Sequence, residues 1–328
     1  MQVYINETYF SKLETLFTES AKDIRSQKPG TIKNIFELLL ALPVNINISD
    51  NEREEYAKAI FQKKQFTSFK DVIISKALKN QRLFNADVDN NINDYKGYYF
   101  YDIENIERLD LQYGVILKDK NYKGDDFFLD CNMPHEPIEG GFDITTLNSP
   151  PANALLIIDK YIFGTPFNIK LTNLIEFIKF INRYNRETLQ IPFHLTILSS
   201  YAHKGKAICT PSNISAALER LSTISNLQVQ IFVGNDEHDR LYFTNYTMGN
   251  IGNPLTGNHT VFNQKFLGCG LTEQDIRKNY NQFQDALRQC KTLIDGIPTK
   301  IGIQQTRWQN ADFKNRLFND LNPQKNTS

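Results

Sequence analysis

One stretch of the sequence, NDEHDRLYFTNYTMGNIGN at residues 235–253, groups side chains that could do chemistry. An imidazole, carboxylates and a guanidinium precede an apolar, strand-like run, which is followed by an Asn and a cluster of glycines. A neutral imidazole can attack phosphorus, and the forked donors of an Arg side chain match the oxygens of a phosphate group. The stretch therefore predicts a phosphate-handling site, with a polar turn between two strands as the alternative.

His238, Arg240, Asn245 and Gly252 are spaced as H-x-R-x4-N-x6-G. This pattern resembles the signature of the phospholipase D superfamily, H-x-K-x4-D-x6-G, with Arg in place of Lys and Asn in place of Asp. The surrounding residues, 152–268, also look like the shortened phospholipase D-like domains of bacterial defence and mobile-element proteins. In those domains an Asp at the end of the first strand and an H-D-R turn recur. The resemblance implies a phospholipase D-like α/β domain that handles nucleic-acid phosphodiesters.

The resemblance also implies a role for each residue of the motif. His238 would be the nucleophile that forms a phosphohistidine, or the acid in a dimer that uses two copies of the motif, and Arg240 would clamp the phosphate. In active members the Asp at the position of Asn245 orients a partner imidazole. An amide stabilises an imidazolium less well, so a weaker catalyst is expected. Asp159, which ends the run ALLIID, is a candidate substrate-binding residue and is expected to fix a turn or to pair with Arg240 rather than to act as a base.

The chemistry of this superfamily uses two copies of the motif, whereas the sequence contains one H-x-R. The nearest second candidate is His203, which is followed by Gly205 where a cation is required. A homodimer in which each chain gives one His238 to a shared site is the other way to supply a second imidazole. The oligomeric state is therefore a mechanistic question.

Lys204 and Lys206 precede a predicted helix N-terminus, where anions bind readily. They are candidate substrate-binding residues, with a solvated basic loop as the alternative. Gly252 belongs to a glycine-rich run with Gly249 and Gly257, whose backbone amides could face a phosphate. A hairpin with flexible turns is the alternative for this run.

The segment that carries these residues, 151–270, alternates between strand and helix patterns. Apolar runs predict buried strands at NALLIIDKYIF, FHLTILSS and LQVQIFVG, and RLYFTNY is a fourth strand after the His238 turn. The runs LTNLIEFIKFINRYN and SNISAALERLSTISN have the helical period. The alternation predicts an α/β domain whose sheet is flanked by helices, and functional groups gather at the strand ends of such sheets.

Three further regions flank this domain. Residues 1–95 are predicted to be mainly helical, because apolar residues recur at the helical spacing and breaks such as Pro29–Gly30 separate the runs. Residues 96–150 are predicted to form short aromatic or β-branched strands and a linker loop. Residues 271–328 are predicted to be a helical extension, with a long amphipathic helix and a short helix after residue 300.

The composition limits the function classes. Among 328 residues, 37 basic side chains balance 37 acidic ones, so no net field draws the protein to nucleic acid or anionic lipid. The four cysteines form no CxxC pair, which favours free thiols in a reducing cytosol and hence a cytoplasmic protein. The sequence contains no P-loop, no GxGxxG and no HExxH, and its apolar runs are too short to span a bilayer. No cofactor, metal or membrane is therefore expected.

Two hypotheses from different classes follow. In the first, the protein is a metal-independent phosphodiesterase or nuclease that acts on DNA or RNA, with its site shared across a homodimer. In the second, it is a non-catalytic subunit of a larger complex in anti-phage defence or a mobile element, and keeps the fold to bind a phosphate backbone or a protein. The neutral net charge and the Arg and Asn replacements favour the second, whereas the retained His238 favours the first. A docking role for the helical region 1–95 is a third alternative.

Overall fold

The computed structural model of the protein divides into two compact units. The first unit comprises residues 1–110, 115–131 and 268–281, and the second comprises residues 111–114, 132–267 and 282–328. The residues that the structure describes are 1–6, 8–10, 31–47, 49–62, 69–79, 96–101, 112–118, 132–134, 150–181, 189–234, 240–251, 262–267, 272–319 and 321. Most of the predicted α/β segment thus belongs to the second unit.

The first unit contains a four-stranded sheet in which all neighbouring strands are parallel. Its strands are β1 (Val3–Ile5), β2 (Val44–Ile46), β3 (Tyr98–Phe100) and β4 (Ile116–Lys118), in the order β2–β1–β3–β4. Among residues 1–110, the structure describes three helices. They are α1 (Thr31–Ala41), α2 (Asp50–Gln62) and α3 (Phe69–Lys79). The sequence pattern predicts these helices but not β1 and β2, because a three-residue strand is too short to show alternation.

The second unit contains an eight-stranded sheet and two short hairpins. The strands of the sheet are β5 (Asn132–Pro134), β6 (Ala154–Ile158), β7 (Phe193–Ser200), β10 (Leu227–Gly234), β11 (Leu241–Thr244), β12 (Thr247–Ile251), β13 (Phe262–Phe266) and β16 (Arg307–Gln309). The hairpins are β8 (Ala202–His203) with β9 (Lys206–Ala207), and β14 (Lys300–Ile301) with β15 (Gln304–Gln305). The order in the sheet is β16–β10–β7–β6–β11–β12–β13–β5.

The strands at the centre of this sheet do not all run in the same direction. β6 and β10 are both parallel to β7, whereas β11 is antiparallel to β6. We call the end of the sheet where β6, β7 and β10 finish and β11 begins the carboxyl end, and the opposite end the amino end. The loops that meet at the carboxyl end occupy the place where α/β sheets form ligand sites.

Two helices cover one face of this sheet, as the alternating pattern predicts. They are α4 (Phe167–Ile181), which follows β6, and α5 (Pro211–Ser222), which follows β7. Their apolar residues pack with every second residue of the strands, for example Phe177 with Leu155 and Ile157 in one core. The Thr210 side chain caps α5 by accepting the Asn213 N–H at 3.3 Å.

The C-terminal region differs in part from its predicted helical structure. The long helix is present as α6 (Glu273–Gly296), and the Thr272 hydroxyl caps it by accepting the Asp275 N–H at 3.3 Å. The residues after 300, for which a short helix was expected, form β14, β15, β16 and the 3-10 turn Arg316–Phe318. β16 forms because the outer edge of β10 offers backbone groups that need partners, and this pairing outweighs local propensity.

The architecture is mixed α/β, as the sequence predicts. No helix within the described ranges is both long and apolar enough to cross a bilayer. Cys209 and Cys290 are free, buried thiols, and burial raises the pKa of each to about 12. Both are therefore protonated at neutral pH and poor nucleophiles.

Candidate functional site

Asp159 and Arg240 share the carboxyl end of the sheet in the second unit. Ile158, the last residue of β6, pairs with Leu241, the first residue of β11, in antiparallel register. Asp159 directly follows Ile158, and Arg240 directly precedes Leu241. The register therefore brings Asp159 and Arg240 to the same end of two adjacent strands. The pairing of β6 with β11 therefore places the Asp159 carboxyl group and the Arg240 guanidinium near each other.

The carboxyl group of Asp159 is buried and incompletely hydrogen bonded. The residue is 0% exposed, and its Oδ1 accepts the backbone N–H of Tyr161 at 2.8 Å, which fixes the turn after β6. Within the described part of the chain, its Oδ2 has no hydrogen-bond partner. Burial raises the pKa of Asp159, whereas the Tyr161 N–H and the positive charges of Arg240, Lys170 and Lys160 act in the opposite direction.

Cationic side chains stand around this carboxyl group. Lys170, in the first turn of α4, is buried, and its Nζ donates to the Tyr161 carbonyl oxygen at 2.8 Å. Burial lowers the pKa of Lys170, attraction to Asp159 opposes that effect, and repulsion from Arg240 adds to it. The Arg240 Cζ and the Lys160 Nζ each lie 5.3 Å from the centroid of the Tyr161 ring, as cation–π contacts. One residue, Tyr161, thus contacts all of these cations through its backbone or its ring.

The β8–β9 hairpin brings His203 to the same place. The two residues of its turn, Lys204 and Gly205, have positive φ angles of 50° and 74°, as a tight hairpin turn requires. The His203 ring packs edge-on against Tyr161 at a centroid distance of 5.8 Å, and its Nδ1 lies 3.5 Å from the Lys160 Nζ. An imidazole therefore joins the cluster from a different element of the fold.

The turn after β6 is held against its neighbours by close packing. A Cβ atom at Gly164 would lie 2.5 Å from the carbonyl oxygen of Ile208, so only glycine permits this approach. The Asn213 side chain, at the start of α5, donates to the carbonyl oxygen of Phe163 at 2.9 Å. These contacts fix the backbone on which the cationic cluster is built.

Four other predicted site residues are either exposed or outside the described residues. Lys204 is in the turn of the β8–β9 hairpin and Lys206 is opposite His203 in β9, and both lysines are exposed. His238 and Gly252 lie outside the residues that the structure describes. Their roles therefore remain predictions from the sequence.

Asn245 lies at the other end of β11. Five residue steps along the extended chain, about 16 Å, separate it from Arg240. Its Oδ1 accepts the backbone N–H groups of Asn153 and Ala154 at 3.0 and 3.1 Å, and its Nδ2 donates to the Asn153 Oδ1 at 2.9 Å. The structure does not bring Asn245 to the Arg240 cluster, and its amide joins two strands at the amino end instead.

The sequence pattern does not identify every member of the cluster. It does not mark Lys170 as a site residue, and it marks His203 only as the possible start of a second motif. A usable signal existed for Lys170, because a helix that follows a parallel strand begins at the carboxyl end of the sheet and brings its first turn to the ligand region. No comparable signal existed for His203, whose position depends on how a hairpin folds back.

The cluster has the donors that bind an anion. It combines a guanidinium and ammonium groups near one buried carboxyl group with an imidazole that packs against Tyr161. No three His, Cys, Asp or Glu side chains converge as metal ligands do in the described ranges. In comparisons with protein-family models and with curated proteins, nothing matches this chain. The side chains of the site are therefore the basis for assigning a function.

Proposed function

We propose that the carboxyl end of the sheet in the second unit binds a phosphodiester of DNA or RNA. The observation that carries the proposal is the juxtaposition of Arg240 with Asp159, Lys160 and Lys170 around one turn. Arg and Lys donors to phosphate oxygens supply most of the affinity of proteins for nucleic acids. A net charge of zero leaves this local cluster to attract the ligand.

The resemblance to the phospholipase D superfamily supports the same ligand. In that interpretation the second unit is a phospholipase D-like domain, and Arg240 is the cation of the H-x-R motif. An Arg fork binds two phosphate oxygens at once, so its replacement of Lys preserves phosphate recognition.

Cleavage of the bound phosphodiester is a second candidate function, and the position of Asn245 favours it. The replacement of Asp by Asn at this position argued against catalysis only if the residue acts at the reacting centre. Because Asn245 hydrogen bonds to Asn153 at the amino end, its neutral amide removes no charge from the Arg240 cluster. His238, two residues before Arg240, is the nucleophile in this proposal.

Binding is tested by the fluorescence anisotropy of labelled single- and double-stranded DNA and RNA over a range of salt concentrations. We expect Arg240→Ala to weaken binding about tenfold or more. The slope of the logarithm of the binding constant against the logarithm of the salt concentration should fall by about one. The matched control is Arg220→Ala, which removes an exposed Arg from the last turn of α5. Equal affinities of the two variants would contradict the proposed site.

Cleavage is tested on the same substrates in EDTA, with the oligomeric state measured by light scattering. Metal-independent cutting by the wild type that is lost in His238→Ala, but kept in His259→Ala, would establish a phosphodiesterase. Binding that depends on Arg240 without any cutting would instead favour the non-catalytic subunit of a defence or mobile-element complex.

A further inference from the structure

The Oδ2 of Asp159 is a buried acceptor that the described part of the fold leaves without a donor. Asp159 is 0% exposed, and its Oδ1 already accepts the Tyr161 N–H at 2.8 Å. Within the described residues Oδ2 has no hydrogen-bond partner, whereas buried polar atoms in folded proteins are almost always paired. Because Oδ2 lies beside the proposed phosphate site, a group of the ligand is the candidate partner.

The cations beside Asp159 make contacts with Tyr161. The Lys170 Nζ donates to the Tyr161 carbonyl oxygen, and Lys160 and Arg240 lie over the Tyr161 ring. Burial raises the pKa of Asp159, and the Tyr161 N–H and the three positive charges oppose that effect. Oδ2 therefore lies among positive groups, and none of those described donates a hydrogen bond to it.

A phosphodiester group alone cannot supply a donor to this oxygen. Its oxygens only accept hydrogen bonds, and its negative charge is repelled by an ionised carboxyl group. In RNA, each phosphodiester adjoins a ribose 2′-hydroxyl, which is both a donor and an acceptor and which DNA lacks. A hydroxyl group pairs with Asp159 in either protonation state, because it donates to the carboxylate and accepts from the neutral acid.

We infer that the Asp159 Oδ2 binds the ribose 2′-hydroxyl beside the bound phosphate, so that the site selects RNA over DNA. The inference rests on the proposed phosphodiester binding and makes Asp159 its specificity-determining residue. Lys160 and Arg240, the half-buried cations beside Asp159, have long, flexible side chains. Binding requires them to turn from the Tyr161 ring toward the phosphate, and this movement gives the hydroxyl group access to Oδ2.

The test compares labelled single-stranded oligonucleotides of one sequence that differ only at the sugar: RNA, 2′-fluoro RNA and DNA with uracil bases. The 2′-fluoro group keeps the sugar conformation of RNA but cannot donate a hydrogen bond. In anisotropy titrations we expect the wild type to bind RNA about tenfold or more tightly than either analogue. Arg240→Ala should weaken the binding of all of them alike, because they share the phosphate groups.

The Asp159→Asn variant changes only the oxygen that faces the ligand. Its amide oxygen keeps the Tyr161 N–H, which puts a neutral N–H donor in the place of Oδ2. The ratio of RNA affinity to DNA affinity should fall to less than about threefold, because the charged acceptor is gone. Asp312→Asn, at an exposed position, should keep the wild-type ratio. If Asp159→Asn fails to fold, the wild-type comparison of RNA with 2′-fluoro RNA still decides.

Each other outcome contradicts the inference in a recognisable way. Equal affinities of the wild type for RNA and DNA, both weakened in Arg240→Ala, would overturn the inference and leave the proposed binding intact. Equal affinities for RNA and 2′-fluoro RNA would assign any preference over DNA to the sugar conformation. A preference for RNA that persists in a folded Asp159→Asn variant would assign recognition of the hydroxyl to another residue. A wild type that binds no oligonucleotide would overturn both the inference and the proposed function.

Discussion

The two ends of strand β11 carry polar groups of different kinds. At the carboxyl end, Asp159, Lys170 and Arg240 bring opposite charges together, and one oxygen of the carboxyl group has no hydrogen-bond partner among the described residues. At the amino end, Asn153 and Asn245 are neutral, buried and hydrogen bonded to each other and to the backbone. Both ends are polar, but among the described residues only the carboxyl end holds a buried acid with an oxygen left without a hydrogen bond.

The C-terminal segment adds further satisfied groups on the amino side of the sheet. The Asn315 Nδ2 donates to the Leu155 carbonyl oxygen at 3.2 Å and to the Thr196 Oγ1 at 3.0 Å. The Arg316 Nη1 donates to the Pro192 carbonyl oxygen at 2.6 Å. These buried polar side chains therefore hold the segment 315–316 against strands of the sheet.

The difference in hydrogen bonding between the carboxyl end and the amino end separates two roles of polar residues at strand ends. Buried polar groups whose donors and acceptors are matched stabilise one arrangement of the fold. A buried acid among cations, with an oxygen left over, costs stability and is more typical of a ligand site. By this criterion Asn245 belongs to the fold and Arg240 to the proposed phosphate site, although they occur in one sequence motif.

The largest effect is expected at the amino end. Asn245→Ala removes the acceptor for the Asn153 and Ala154 N–H groups, and should lower the free energy of unfolding by about 2–4 kcal/mol. The single tryptophan, Trp308 in β16, reports this unfolding by fluorescence. Asn245→Asp keeps the acceptor and should cost less. Normal stability combined with lost nucleic-acid binding would instead assign Asn245 to the site.

The next effect is a pH dependence of stability at the amino end. His194 accepts the Arg316 N–H at Nδ1, and burial, with the charge of Arg316, lowers the pKa of His194 to about 3. The unfolded chain therefore binds the extra proton first as the pH falls below 6.5. Stability should fall by about 2 kcal/mol between pH 7 and pH 5. In the His194→Asn variant, which retains an acceptor, the free energy of unfolding measured with denaturant should no longer show this fall between pH 7 and pH 5. A variant with the same pH dependence as the wild type would contradict the assignment.

A smaller effect is expected from the acid at the carboxyl end. Burial raises the pKa of Asp159, so the group becomes charged at a higher pH than an exposed Asp, and its charge then opposes a bound anion. Oligonucleotide affinity should fall as the pH rises through that pKa. Asp159→Asn should remove this dependence and raise affinity at neutral pH by about two- to fivefold, or up to about 1 kcal/mol. Asp312→Asn, at an exposed position, serves as the control, and an equal response would contradict the prediction.

The smallest effect is expected on the β8–β9 hairpin. Lys204 and Lys206 are exposed, so the change of either residue to Ala should weaken oligonucleotide binding by less than about threefold. The slope of the logarithm of the binding constant against the logarithm of the salt concentration should fall by less than about one. The measurement is the same anisotropy titration as for Arg240→Ala. A loss as large as that of Arg240→Ala would make the hairpin, and not the strand ends, the main phosphate contact.

Most of the second unit's core could be predicted from the sequence, whereas the shortest strands could not. Strands buried on both faces leave continuous apolar runs, so β6, β7 and β10 and the helices between them are recognisable. β16 has only three residues, RWQ, and forms because β10 needs a partner at its outer edge. Pairing of this kind depends on residues far apart in the chain and leaves no local pattern.

The same distinction applies to the candidate site. Asp159 and Arg240 could be predicted as neighbours because each adjoins a strand, and adjacent strand ends meet. Lys170 and His203 could not, because their positions depend on where α4 begins and on how a hairpin packs against Tyr161. Residue spacing contains no record of such contacts.

Strand β16 also affects how the protein is made. Among the described strands of the sheet it is the last to leave the ribosome, and it covers the outer edge of β10, where for example Val233 donates to the Thr306 carbonyl oxygen at 2.8 Å. Until then, this edge of a nascent chain is open to pairing with other chains. Slow synthesis of residues 235–309 would prolong that exposure, and the yield of folded protein should depend on how rapidly this part of the chain is translated.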